Sequence, residues 1–281
     1  MTRPLPVWML LALLPASALG APPAADATVA TQERAEAPQA LVISVYDGDT
    51  MTLENGDKVR LRWVNTPELK PHEPFSDEAR AFTERMVHRQ VVTLDPSPDG
   101  RDGYGRLVAG VSTPEGDLSL GLLEAGLAHV FVIPPDPTDI APLLAAQERA
   151  RAARRGIWTT EAYQAPLHIT SFHANAPGPD EDNVNGEYLR VANVGPGPVD
   201  LTGWAVRTRA TNQVLPLPSL VVPAGHTVKV LAGVGLLQAD PARQLVVHLG
   251  SAVPVYADEG ETVELVDPSG RGVDRRTHKG G

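Results

Sequence analysis

Two short stretches, Val45-Tyr46-Asp47-Gly48-Asp49-Thr50 and Asn65-Thr66-Pro67-Glu68, with Arg60 between them, constrain this chain more than any other feature. Leu41-Val42-Ile43-Ser44-Val45 is rich in β-branched residues, Asp47-Gly48 is a turn signal, and Thr50-Met51-Thr52-Leu53 resumes the strand alternation. Asn55-Gly56 then turns the chain into Val59-Arg60-Leu61-Arg62-Trp63-Val64. Such a meander can bring Asp49, Asn65 and Glu68 to one end of a sheet with Arg60 nearby. Oxygen ligands beside an arginine suit a hard cation and a phosphodiester together. Taken singly, Asp47-Gly48 reads as a hairpin turn, Arg60 as a surface strand arginine and Pro67-Glu68 as a strand end. Only their joint spacing points to a site.

At 281 residues the chain is long enough for two domains. Its 27 Pro and 25 Gly, set against 5% aromatic residues, favour turn-rich β structure over long helices. The absence of cysteine removes disulfides, thiol nucleophiles and thiolate metal sites. A net charge of −10 gives the chain no basic footprint, so attraction to nucleic acid is weak or confined to one region.

Residues 1–20 read as an export signal, with Arg3 as the positive start, an apolar centre over 7–14, and Ala18-Leu19-Gly20 as a small-residue cleavage site. The apolar run is too short to span a bilayer. The mature chain is therefore expected to be secreted, periplasmic or held at the cell envelope. Residues 21–40, rich in Ala and Pro, read as a flexible linker.

Beyond the meander, Ser76 is placed as the N-cap of a helix whose buried stripe is Phe75, Ala79, Phe82 and Met86. Val91-Val92-Thr93-Leu94 is a strand, and residues 96–100 are a turn-dense loop leading to Asp102-Gly103-Tyr104-Gly105-Arg106. Helices over 118–125 and 142–155 end at Gly126 and Gly156.

Residues 41–158 resemble the staphylococcal-nuclease (thermonuclease) family through an ordered series of landmarks. These are Asp47-Gly48-Asp49-Thr50, then Arg60 five residues before Asn65-Thr66-Pro67-Glu68, then Glu78-Ala79-Arg80-Ala81-Phe82-Thr83 and Tyr104-Gly105-Arg106. Leu122-Leu123-Glu124-Ala125-Gly126-Leu127-Ala128 and Gly156-Ile157-Trp158 complete the series. The resemblance implies a small OB-type β-barrel with helices and a calcium-dependent nuclease acting on DNA and RNA with little sequence preference. It also implies roles: Asp49 and the Thr66 carbonyl as Ca²⁺ ligands with position 65, Glu68 as the residue that orients or deprotonates water, and Arg60 and Arg106 on the phosphate. Tyr104 would contact the nucleotide.

The sequence departs from that family in three places. Asn65 stands where the family has an Asp ligand, which keeps an oxygen but loses a charge and predicts weaker Ca²⁺ binding. Val130-Phe131-Val132-Ile133-Pro134 stands where the family has tyrosines. Roughly 13 Lys/Arg face 18 Asp/Glu over 41–158, the opposite of what a non-specific nuclease prefers.

After a short linker at 159–166, short strands with Gly/Pro turns continue from 167 to 281 and read as a β-sandwich. Asn185-Gly186-Glu187-Tyr188-Leu189-Arg190-Val191-Ala192-Asn193, Val199-Asp200-Leu201-Thr202-Gly203-Trp204 and Gly260-Glu261-Thr262-Val263-Glu264-Leu265 resemble the lamin-tail domain, an immunoglobulin-like sandwich. That resemblance implies an adhesion or targeting module, and Trp204 is placed in its core. The histidines there are scattered, with no catalytic constellation. Asp180-Glu181-Asp182-Asn183-Val184-Asn185 reads as a solvated acidic turn, with a second Ca²⁺ loop as the alternative. The fold class is mainly β in two domains. The function expected is a nuclease positioned by its C-terminal domain on a surface, polymer or protein partner. The alternative is a nucleic-acid-binding or envelope interaction protein whose chemistry was impaired at Asn65.

Overall fold

The computed structural model describes residues 37–175, 178 and 182–279. The export segment 1–20, most of the linker 21–40 and residues 180–181 of the acidic turn lie outside the described residues.

The N-terminal half is a closed barrel. β1 (Gln39–Val45), β2 (Thr50–Leu53) and β3 (Lys58–Leu61) form an antiparallel meander. β4 (Val64–Asn65) follows a bend, and α1 (Ser76–Val87) leads to β5 (Val91–Arg101) and β6 (Leu107–Thr113). β5 pairs with β1 and with β6, and parallel pairing of β6 with β3 closes the ring of five strands. A two-residue edge strand, β7 (Gly116–Asp117), precedes α2 (Leu118–Ala125); β8 (His129–Val130) pairs with β4, and α3 (Ala141–Ala152) follows. Alternate strand positions fill the interior: Met51 and Leu53, Val59 and Leu61, Val92 and Leu94, Ala109 and Val111 are all buried. Each such Val, Leu or Met side chain contributes about 1.5–3 kcal/mol by leaving water.

Three local expectations are corrected. The third strand stops at Leu61 instead of running to Val64. Arg62 turns inward onto Asp136, whose oxygens lie 3.0 Å from its Nε and 2.9 Å from its Nη2. Trp63 adopts φ 68° and donates from Nε1 to the same carboxylate at 3.1 Å. Gly110 makes room for that indole, because a Cβ there would sit 2.7 Å from Trp63. The kink aims β4 at β8 and so places Asn65. Secondly, α1 is capped by Phe75 in a left-handed conformation, with Ser76 buried inside the first turn. Its buried face is Ser76, Ala79, Thr83 and Val87, one residue round from the expected stripe, with Phe82 and Met86 packed at its margin. Thirdly, β5 continues through Pro96 and Gly100 to Arg101, and α3 ends at Ala152. The C-cap at Gly126 is as expected: φ is 71°, and its N–H bonds back to Leu122 and Leu123.

The C-terminal half is a two-sheet sandwich. In chain order its strands are β9 (Leu167–His173), β10 (Tyr188–Asn193), β11 (Val199–Asp200), β12 (Ala205–Thr208), β13 (Val214–Pro216) and β14 (Val221–Val222). β15 (Thr227–Gly233), β16 (Leu245–Ser251), β17 (Glu261–Val266) and β18 (Gly272–His278) complete it. One sheet runs β16-β15-β10-β9, the other β13-β12-β17-β18, and β11 pairs with β14. Leu189, Val191, Val206, Val228, Val230, Val247, Val263 and Leu265 fill the space between the sheets, and Trp204 joins them as expected.

The halves share a packed seam. Residues 159–166, read as a linker, form part of it. Tyr163 is buried beside Trp158, Ala150, Ala192 and Val194. Backbone bonds Val132 N–H to Gly225 O (2.9 Å) and Thr227 N–H to Val132 O (3.2 Å) cross it. Gln147 accepts from Val130 N–H at 2.7 Å and donates to Val194 O at 3.3 Å. Arg276 of β18 reaches Glu73 at 2.6 Å.

Candidate active site

The β1–β2 turn is pressed into the barrel end. Gly48 permits this, since a Cβ there would lie 2.7 Å from Thr66 Cγ2 and 2.8 Å from Ala79 Cβ. Thr83 Oγ1 of α1 donates to Gly48 O at 2.6 Å and fixes the turn from the other side. Asp49 is thereby buried with its carboxylate against Thr66, accepting from Thr66 N–H at 2.9 Å and from Oγ1 at 3.1 Å. Asp47 accepts from Asp49 N–H at 3.1 Å.

Arg60 lies between Asp49 and Asn65. Its Nη1 is 3.1 Å from Asp49 Oδ2 and donates to Leu61 O and Val64 O at 2.8 and 2.9 Å. Its Nη2 donates to Asn65 Oδ1 at 2.9 Å. Nε–H and one Nη2–H stay uncommitted among the described residues, which leaves a two-pronged donor for an anionic oxygen. Arg106 approaches from the β5–β6 loop. Asp102 holds its Nε at 2.7 Å, and its Nη1 donates to Thr50 Oγ1 at 3.3 Å. Thr50 Oγ1 in turn donates to Asp49 Oδ1 at 3.2 Å, so a chain of bonds ties both arginines to one carboxylate. Burial acts against it, yet the bonds from Arg106 hold the Asp102 carboxyl below its ordinary range. Tyr104 is exposed at the rim.

Glu68 sits half-buried at the end of β4's continuation, where its backbone N–H bonds to Glu73 at 2.8 Å. Its own carboxylate takes no hydrogen bond among the described residues. Burial and then the Asp49 carboxylate push the Glu68 carboxyl up to about 7, against the pull of Arg276 and Arg60. Burial and Asp49 likewise push Asp47 up to about 6. A buried acid cluster that resists full ionisation is what a divalent cation relieves. Among the described residues no three acidic or imidazole side chains form a ready metal cage. The oxygens at this end of the barrel, on the Asp47, Asp49 and Glu68 carboxylates, Asn65 Oδ1 and the Thr66 carbonyl, are of the hard kind that calcium takes together with water, although Asn65 Oδ1 accepts from Arg60 and the Thr66 carbonyl accepts from Asn65 Nδ2 at 3.3 Å.

Every expected site residue thus lies at one end of the barrel. The departure at Asn65 has a structural counterpart, because its oxygen is already bonded to Arg60. Sequence reading missed three participants. Asp47, two residues before Asp49, carries in the sequence the mark of a turn residue and none of its place in the acid cluster. Asp102 stands four residues before the arginine it orients. Arg276 comes from the other half of the chain, within the stretch 271–279 whose basic run the sequence offers as a contact for a phosphate backbone or simply a soluble end; what no local signal marks is its pairing with Glu73.

Residues 58–160 match the family of staphylococcal nuclease homologues, and residues 160–280 match the lamin tail domain. The thermonuclease of Staphylococcus intermedius is 32% identical over 125 residues, covering 42% of this chain and 74% of that protein. This chain belongs to the staphylococcal nuclease family. The thermonuclease of Staphylococcus hyicus gives the same identity and coverage. Endonuclease YncB of Bacillus subtilis is 32% identical over 126 residues, 60% of its length. In this family member the matched segment carries Arg60, Glu68 and Arg106, and the lamin tail domain begins where it ends.

Proposed function

We propose that this protein is an exported, calcium-dependent nuclease that hydrolyses phosphodiester bonds of DNA or RNA with little sequence preference. The observation that carries this reading is the convergence of two arginines and a carboxyl poised near neutrality on one buried acid cluster. Arg60 offers its free N–H groups, and Arg106 its outer Nη groups, to the non-bridging oxygens of a phosphodiester. These donors are already aimed, so they stabilise the charge that builds on phosphorus without reorganising. Glu68, whose carboxylate takes no hydrogen bond among the described residues, accepts the proton of the attacking water. A calcium ion held by Asp49, Asn65 and the Thr66 carbonyl, with Asp47 beside them, would supply positive charge against the phosphate. Tyr104 offers an aromatic face to a base. The lamin tail domain positions the enzyme, and the segment at 1–20 exports it.

The test is release of acid-soluble fragments from single-stranded DNA by the purified mature chain over a calcium titration. Cutting that rises with calcium, stops on chelation and returns on re-addition supports the reading. A chain that binds DNA and never cuts it would instead be the impaired binding module that Asn65, bonded to Arg60, leaves open.

A further inference from the structure

A cleft of about 730 Å³ opens beside Glu68 along the seam between the two halves. Its barrel wall carries Glu68, Lys70 and Tyr104, and its sandwich wall carries His173, His278 and Lys279. Glu68 is the one carboxylate among the described residues that line it, on a chain whose net charge is −10. Arg276, also in the lining, is paired with Glu73 and fixes β18 against the barrel. The walls meet where Tyr104 Oη lies 3.4 Å from His173 Nε2. His173 stacks on Tyr188 with ring centres 4.2 Å apart, and Lys229 Nζ lies 3.9 Å above Tyr188. His278 Nε2 is buried there with no hydrogen-bond partner. The cleft thus combines stacking faces, a ring nitrogen without a partner and two exposed lysines. It leads directly away from the proposed reacting carboxyl.

We propose that this cleft binds the strand flanking the scissile bond, so that the lamin tail domain forms one wall of the substrate site. The inference rests on the nuclease reading for its substrate class and goes beyond it in assigning substrate contacts to the second domain. Lys70 and Lys279 neutralise flanking phosphates, and Tyr104 and His173 stack on bases. The occupant is single-stranded, because a base inside a duplex presents no free face to these rings. This placement answers the acid excess of the barrel. The cationic surface the barrel lacks is assembled at the seam, from β9, β18 and the loop after Glu68.

The test is fluorescence anisotropy of a labelled single-stranded oligonucleotide against the full mature chain in calcium-free, chelator-containing buffer, over a range of salt. Lys279→Glu is the main variant, since that side chain is exposed and makes no hydrogen bond or ion pair among the described residues. His278→Gln is the second, and Arg243→Glu, exposed and outside the cleft, is the charge-matched control. Lys279→Glu is expected to weaken binding about fivefold and to lower the slope of log affinity against log salt by about 0.7, one phosphate contact on a single strand. His278→Gln weakens binding in the same direction, and Arg243→Glu leaves the salt slope unchanged. Parent affinity in both Lys279→Glu and His278→Gln, or loss no greater than in Arg243→Glu, overturns the proposal. Equal affinity for duplex DNA overturns the single-strand assignment. Because binding is read without cleavage, a parent that cuts nothing yet needs Lys279 to bind refutes the nuclease reading alone. A parent that cuts and ignores Lys279 refutes this inference alone.

Discussion

Replacing Asn65 by Asp adds a charge at the position that the nuclease resemblance gives to a carboxylate ligand. In the present structure Asn65 Oδ1 is 2.9 Å from Arg60 Nη2, and Asn65 is buried, so a carboxylate introduced there is poorly screened. Two unit charges about 4 Å apart interact by about 4 kcal/mol at an effective dielectric of about 20, and a divalent cation doubles that. Much of this is lost, because Arg60 already neutralises position 65 before the cation arrives and because water penetrates the rim. A net gain of about 1.5–3 kcal/mol is left, which lowers the calcium midpoint about 10- to 100-fold. The assay is the calcium dependence of fragment release, paired with equilibrium dialysis of calcium on the same preparations. Both midpoints are expected to fall together, with the rate at saturating calcium changing less than the midpoint. A midpoint shared by Asn65→Asp and the parent would refute the assignment of position 65 to the cation site.

Gly48→Ala drives a Cβ into Thr66 and Ala79 and should cost about 1–3 kcal/mol in urea unfolding, with loss of cutting as Asp49 is displaced. An alanine variant as stable and active as the parent would show that the turn is not clamped. Asp136→Asn weakens the ion pair with buried Arg62 and should cost about 2–4 kcal/mol at neutral pH. Burial opposes it, but the Thr138 and Arg62 bonds hold the Asp136 carboxyl below its ordinary value of 3.8. Its contribution is therefore complete above that pH and fades as pH falls through the lowered value, so parent and variant should converge in acid. A gap independent of pH would contradict this. Arg276→Ala leaves half-buried Glu73 without its counter-charge and should lower stability by about 1–3 kcal/mol, with Arg276→Lys recovering part of it; equal stability of all three would show that the seam does not depend on this ion pair.

Much of the barrel was legible because its signals are local. Asp47-Gly48 and Asn55-Gly56 mark turns whose strands pair next to each other, and Gly126 ends a helix by its own backbone geometry. The spacing of Arg60, Asn65 and Glu68 likewise survives folding, since β3 and β4, separated only by the kink at Arg62-Trp63, carry the first two residues to the same barrel end. What the sequence hid depends on distant partners. The strand break after Leu61 is caused by Asp136, which lies 74 residues from Arg62. The shift of the α1 stripe follows from Thr83 reaching back to Gly48 across 35 residues, a polar contact that hydrophobic periodicity does not register. Arg276 meets Glu73 across 203 residues, so the second half of the chain read as a separate module while its last strand stands against the site. β13 ends in Pro216 and β14 is only Val221–Val222, so neither is long enough to show an alternation in the sequence.

The proposed function assigns the cleavage to one cluster at the barrel end. Single-turnover cleavage of end-labelled single-stranded DNA at saturating calcium, by the parent, Glu68→Gln, Arg60→Ala and the double variant, tests it most directly. Each single change should slow cutting by about 10²- to 10³-fold, and the double should fall well short of the product, because groups that act on one transition state are not additive. Cleavage near the parent rate by either single variant would place the chemistry elsewhere in the protein.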